Sequence, residues 1–124
     1  MLDHIILTVR NFKEATAFYE AVLPHLNIQE RHDYDGKNGP PGHPDLKGFG
    51  ANGRMFFWLR EGTPYPDAVH IGFVANSEKA VQTACNTALL SKVILGFAPR
   101  NWATSLTHHD LQRAISMTDT VPSA

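Results

Sequence analysis

Residues 4–9 carry the sequence His-Ile-Ile-Leu-Thr-Val, a mainly apolar, β-branched run with the length of one β-strand. Asn11 follows where the N-cap of a helix is expected, and Glu14 stands three residues later, as in a capping box. Apolar residues then recur at intervals of three and four up to Leu26, while Pro24 predicts a disrupted last turn. The sequence therefore predicts a strand that runs into an amphipathic helix.

The same pattern starts again at residues 70–75, His-Ile-Gly-Phe-Val-Ala. Ser77 follows as a second N-cap, and a second helix is predicted to run to about Leu90. A shift of 66 residues places His4 on His70 and aligns the apolar positions of both segments. Two amphipathic segments can align by periodicity alone, but the paired histidines favour a duplication.

The predicted fold class is α+β, with two related strand–helix units in one domain over residues 1–124. Module one spans about residues 1–66, and a partial module two spans about residues 67–124. Between the two beginnings, Asn52-Gly53 separates two apolar runs at 46–51 and 54–60, which predicts a β-hairpin with a two-residue turn. A further strand is predicted at 28–34, followed by an exposed Gly- and Pro-rich loop at 35–44.

The composition is that of a folded domain with neutral charge balance. Of the 124 residues, 43% are hydrophobic, and 11 Lys and Arg face 12 Asp and Glu. This balance gives no reason to expect nucleic acid or membrane partners, and the apolar runs are too short to span a bilayer. Cys85 is the single cysteine, which excludes an internal disulfide and fits a reducing compartment, so we expect a cytoplasmic protein.

Several short segments carry a family resemblance. They are residues 3–9 (DHIILTV), 18–20 (FYE) with Leu23, 48–50 (GFG), 56–59 (FFWL) and 70–73 (HIGF). In this order and spacing they resemble the glyoxalase/bleomycin-resistance/extradiol-dioxygenase superfamily, the vicinal oxygen chelate proteins, over about residues 2–90. The resemblance implies paired βαβββ modules whose sheets enclose a cleft for metal and small molecules, often in a dimer.

The resemblance also implies a metal site with departures from the family pattern. His4 and His70 match the histidine ligands on the first strands of the two modules. A third, acidic ligand position is occupied by Trp58, and the expected final glutamate is absent from residues 92–124. A divalent metal (Zn, Ni, Fe or Mn) is therefore implied, with an absent metal as the alternative. Folding His43, His108, His109 or Asp110 inward could replace the carboxylate, although such residues are more often solvated.

The chain end departs from the family as well, since residues 107–117 are predicted to be a helix and the second module is expected to be incomplete. Divergence, a module completed by a partner and a reading-frame change all remain open as explanations. Unpaired edges of a shortened sheet favour association, so we expect a homodimer.

The candidate substrate-binding residues are Phe57, Trp58 and Arg60, because aromatic walls with one placed charge are common in ligand pockets. Alternation along a strand places Phe57 and Trp58 on opposite faces, so a core role for either aromatic residue stays open. Cys85 is expected to be a buried thiol rather than a nucleophile, and residues 48–50 do not form a dinucleotide fingerprint, so no nucleotide cofactor is expected.

These expectations leave the function open among three classes. The first is a metal-dependent lyase or dioxygenase that acts on vicinal oxygen atoms of a small molecule, with His4 and His70 as ligands. The second is a noncatalytic small-molecule binder of the bleomycin-resistance type. The third is an assembly domain with a degenerate cleft, and no catalytic residue is assigned in any of them.

Overall fold

The computed structural model describes residues 1–64, 70–95, 103–106 and 113–118, with side chains described at 1–64 and 71–90. Two helices and seven strands lie in these residues. Their order is β1 (Ile5–Val9), α1 (Phe12–Val22), β2 (Glu30–Tyr34), β3 (Leu46–Ala51), β4 (Arg54–Glu61), β5 (His70–Ala75), α2 (Glu78–Leu95), β6 (Ala103–Leu106) and β7 (Arg113–Thr118). The α+β fold class is confirmed.

Strands β1 to β4 form one sheet in the order β1-β4-β3-β2. Strand β1 runs parallel to β4, whereas the other neighbours are antiparallel. The crossover needed for the parallel pair includes α1, which begins as predicted, because the Asn11 side chain accepts a hydrogen bond from the Glu14 amide at 3.0 Å. Pro24 ends the helix in a 3₁₀ turn at Leu23–Leu26, closed by Asn27 in the left-handed conformation at φ 63°.

The β3–β4 hairpin is confirmed, with Asn52 and Gly53 both at positive φ angles of 55° and 77°. Phe49 pairs with Phe57 and Gly50 pairs with Met55, so Phe56 is one extra residue on β4. This β-bulge changes the alternation of side chains between the two faces near the hairpin tip.

The core lies between the sheet and the helices. Fully buried aromatic side chains dominate it: Phe18, Tyr19, Phe49 and Phe57. The Tyr19 ring meets Phe57 edge to face at 5.0 Å, and Phe57 meets Phe73 of β5 in the same way at 5.2 Å. Helices α1 and α2 also pack together, and one core cluster includes residues of both modules.

The second sheet has the order β5-β7-β6. Ser77 caps α2 as predicted, since its hydroxyl accepts a hydrogen bond from the Ala80 amide at 3.1 Å. The predicted helix at 107–117 is wrong at residues 113–117, which belong to strand β7, antiparallel to β5. Pairing with β5 outweighs the local helical spacing there, and residues 107–112 lie outside the described part of the chain.

Within the described residues, no helix combines the length and the apolar character needed to cross a membrane.

Candidate functional site

The four-stranded sheet has one face toward α1 and one face away from it, which we call the open face. Residues paired directly across neighbouring strands lie on the same face. Arg31 lies on the α1 side, because its guanidinium donates to the Glu20 carboxylate of α1 at 2.9 Å. The neighbouring row, Ile6, Trp58, Gly48 and His32, therefore lies on the open face.

Trp58 lies in the middle of this face, and its indole packs against the backbone of Gly48. A Cβ atom added to Gly48 would stand 2.6 Å from Cζ3 and 2.7 Å from Cη2 of the indole. Only glycine lets the indole lie this close to β3. The ring of His32 meets the indole edge-on, with ring centroids 6.1 Å apart and planes at 86°. The indole is thus held by Gly48 and His32, and Trp58 is half-buried, so part of it remains in reach of a ligand.

Arg60 lies two residues further along β4, on the same face as Trp58. Its side chain is exposed, and it forms no hydrogen bond or ion pair with any residue that the structure describes. Gly62 comes next on this face, and a Cβ atom there would lie 2.9 Å from the Thr8 methyl group and 3.7 Å from one Arg60 terminal nitrogen. The guanidinium and the Thr8 methyl group therefore lie together beside the Gly62 backbone at the end of the strand.

Phe57 lies on the other side of the sheet. Its side chain is 1% exposed and packs on Tyr19 and Phe73 in the core. Trp58 and Phe57 consequently do not share one surface, as their alternation predicts. Phe57 also lines a groove of about 550 Å³ between the start of β1, the hairpin tip and β5. Its contact with a ligand stays a prediction that concerns this groove rather than the open face.

His4 directly precedes β1 and forms a short contact with its neighbour. Its Nδ1 donates to Oδ2 of Asp3 at 2.7 Å, and Arg54 Nη2 donates to Oδ1 of the same carboxylate at 3.1 Å. The hydrogen bond from His4, followed by the charges of Arg54 and His4, lowers the pKa of Asp3. Because Nδ1 is engaged, Nε2 is the nitrogen of His4 that remains as a potential metal ligand.

His70 is the first residue of β5, with its backbone opposite Thr118 of β7. Its side chain lies outside the described part of the structure, so its distance from His4 stays open. The same holds for His108, His109 and Asp110. His43 is described, and its Nδ1 donates to the Pro44 carbonyl at 2.7 Å while its ring contacts Tyr34. The loop between β2 and β3 is therefore ordered by internal contacts.

A profile of the Glyoxalase/Bleomycin resistance protein/Dioxygenase superfamily matches residues 1–99. The chain belongs to this superfamily. Among curated proteins, none matches the chain.

One solved structure shares the fold of this superfamily member across most of both chains. It is a point mutant of the genomically encoded fosfomycin resistance protein FosX from Listeria monocytogenes, complexed with Mn(II) and 1S,2S-dihydroxypropylphosphonic acid. The TM-score is 0.56 at 18% identity, over 97% of this chain and 89% of the FosX chain. This similarity confirms the glyoxalase-type fold.

The donor atoms of this superfamily member do not fit a metal centre within the described side chains. No group of three or more His, Cys, Asp or Glu side chains there could hold a metal ion. At the position where the family resemblance implies an acidic ligand, Trp58 places an indole, whose Nε1–H group donates hydrogen bonds but offers no lone pair to a metal. His4, the predicted ligand that is described, is exposed and bonded to Asp3.

His32 and Gly48 are site residues that the sequence analysis did not identify. The dense polar sequence of 30–34 gives no hint that His32 meets Trp58. Only the register of β2 on β3, with His32 opposite Gly48, brings the imidazole next to the indole. A glycine within a strand indicates that another group approaches the backbone closely, but the sequence does not identify that group as Trp58.

Proposed function

We propose that this protein is a noncatalytic binder of planar aromatic small molecules, with the open face of the first sheet as its binding surface. The observation that carries the proposal is the placement of Trp58, which lies flat over Gly48 in the middle of that face. A half-buried indole on the surface of a sheet can stack on a planar ligand. This agrees with the binding branch of the superfamily to which the chain belongs.

The Trp58 side chain is already held in place before a ligand binds, and this supports the proposal. The indole packs on Gly48 and contacts the His32 ring, so little rotational freedom is lost when a ligand stacks on Trp58. A stacked aromatic pair contributes about 0.5–1.5 kcal/mol beyond the buried area itself. Ile6, which is exposed and adjacent to Trp58 on β1, adds apolar surface beside the ring.

The test uses 2-naphthamide, a neutral planar probe, with quenching of tryptophan fluorescence as the readout. The chain has two tryptophans, so a Trp102→Phe background assigns the signal to Trp58. We expect saturable quenching and a rise in thermal stability that do not change when a metal chelator is added. Calorimetry on Trp58→Ala should show binding weaker by about fivefold or more.

Leu90→Ala is the matched control, because it removes an exposed apolar side chain from α2, away from the sheet. This variant should bind 2-naphthamide like the unchanged protein. Absence of saturable binding, or equal binding by Trp58→Ala, would contradict the proposed function.

A second candidate is a metal-dependent lyase or dioxygenase with His4 and His70 as ligands. One observation favours it: His4 directly precedes β1 and His70 begins β5, so both histidines stand at the start of a module's first strand. FosX was crystallised with Mn(II), which makes a divalent metal plausible in this superfamily. Elemental analysis should find stoichiometric metal that is lost in the His4→Ala/His70→Ala variant if this candidate holds. A metal-free protein with the same composition in both forms would count against it.

We also propose a homodimer in the cytoplasm. Strands β1 and β5 are edge strands in the described sheets, and the exposed Ile6 and Val74 lie on them. Exposed strand edges with apolar side chains favour association with a second copy. Sedimentation equilibrium should return twice the monomer mass, whereas a monomer at micromolar concentration would contradict the dimer.

A further inference from the structure

The charges on the open face are distributed unevenly, and this bears on which aromatic ligand the face takes. Acidic side chains of this sheet lie on its other side or at its end. Asp33 faces α1's side, where Lys47 donates to it at 2.8 Å, and the Glu30 carboxylate accepts hydrogen bonds from the Gly53 amide at the hairpin tip. Among the described residues, the middle of the open face therefore holds no carboxylate.

Arg60 places a full positive charge on the open face. It is exposed and has no acidic partner in the described part of the chain, unlike Arg31 and Arg54, which are paired with Glu20 and Asp3. Its neighbour Glu61 points to the opposite side by the alternation of the strand. A positive charge without an internal partner can bind an anion without first breaking an ion pair.

The spacing connects this charge to the stacking surface. Trp58 and Arg60 are two residues apart on one strand, so their Cβ atoms are about 6.6 Å apart on the same face. A ring stacked on the indole therefore brings a group on its edge to the guanidinium. The Arg60 side chain is exposed, so an acid group can reach its guanidinium from solvent.

We propose that the open face selects planar aromatic anions, with the ring on Trp58 and the acid group on Arg60. The proposal rests on the proposed binding function and names the ligand class of the same surface. A carboxylate matches the guanidinium with two parallel hydrogen bonds, which a neutral amide does not form. Aromatic carboxylates are thus the simplest members of this class.

The test compares 2-naphthoate with 2-naphthamide, which have similar shape and differ in charge, by titration calorimetry. We expect the unchanged protein to bind 2-naphthoate about fivefold more tightly, the effect of roughly one exposed charge pair. In Arg60→Gln this preference should disappear, with 2-naphthamide affinity unchanged. The preference should also shrink as salt concentration rises, since the pair is exposed.

Lys13→Gln is the matched control, because it removes one exposed positive charge from α1 on the other side of the sheet. It should keep the full preference for 2-naphthoate. Equal affinity for both probes, with binding still weakened in Trp58→Ala, would overturn the anion proposal and leave the binding function standing. A preference that survives in Arg60→Gln would overturn the role of Arg60. No binding of either probe would overturn the binding function as well.

Discussion

The indole of Trp58 rests on Gly48, so closely that a methyl group at position 48 would stand 2.6 Å from Cζ3 of the ring. The two residues are paired across β3 and β4, and His32 on β2 completes the row, with its ring perpendicular to the same indole. The Trp58 indole therefore packs on the backbone of Gly48, and its orientation depends on residues of three strands, β2, β3 and β4.

Gly48→Ala should move the indole without unfolding the protein. The atoms that the new methyl group meets belong to the outer ring of a half-buried side chain, which can turn toward solvent. We expect a loss of stability of about 1 kcal/mol, a change in the near-ultraviolet circular dichroism and weaker binding of 2-naphthamide. Denaturant titration and calorimetry on the same sample measure both effects.

Gly50→Ala is the comparison variant, because its added methyl group would clash with a backbone atom, whereas that of Gly48→Ala would clash with a side chain. A Cβ atom there would lie 1.7 Å from the carbonyl oxygen of Arg54, next to the bulge in β4, and a backbone atom in a paired strand cannot turn away. This variant should lose clearly more stability than Gly48→Ala, about 3 kcal/mol or more. Similar stability losses for the two variants would contradict the argued mobility of the indole.

The strand–helix beginnings and the hairpin could be predicted from the sequence because their signals are local. Asn11 and Ser77 cap the helices that follow them, and Asn52-Gly53 has the φ angles that a two-residue turn requires. The contact between His32 and Trp58 could not be predicted, because it depends on the register of β2 across an eleven-residue connection. Strand β7 was missed for the same reason, since pairing with the distant β5 decides its conformation.

His32 should act as a positioning residue for Trp58. His32→Ala removes the ring that contacts the indole, so Trp58 gains freedom and 2-naphthamide should bind about threefold more weakly. His32→Phe keeps an edge-on aromatic contact and should restore most of the affinity. Trp58 fluorescence anisotropy in the Trp102→Phe background reports the freedom of the ring directly. Equal loss of affinity in both variants would instead point to a polar contact between His32 and the ligand.

The Phe57–Phe73 contact should couple the two modules. Both side chains are buried, and their rings meet edge to face at 5.2 Å between β4 and β5. In a double-mutant cycle with Phe57→Leu and Phe73→Leu, we expect a coupling free energy of about 0.5–1.5 kcal/mol from denaturant unfolding. Phe57→Leu combined with the exposed Leu90→Ala should be additive. Additivity in the first cycle as well would contradict a core shared by both modules.

The Asp33–Lys47 pair should make part of the stability depend on pH. The Lys47 side chain is mostly buried, at 12% exposure, and its ammonium group donates to Asp33 at 2.8 Å. That hydrogen bond, followed by the charge of Lys47, lowers the pKa of Asp33 below its ordinary value of 3.8. A carboxyl with a lowered pKa in the folded state stabilises the protein above its unfolded pKa, and this contribution is lost as the pH falls through the folded pKa.

Asp33→Asn should therefore lower the free energy of unfolding at pH 7, by at most about 1 kcal/mol because the carboxylate itself is largely exposed. The difference from the unchanged protein should shrink below about pH 4 and vanish once Asp33 is protonated in both states. Glu61→Gln removes an exposed carboxylate with no partner among the described residues, and its effect should be small at every pH. A difference for Asp33→Asn that stays constant down to pH 2 would show that packing of the side chain, rather than its charge, stabilises Lys47 in the sheet.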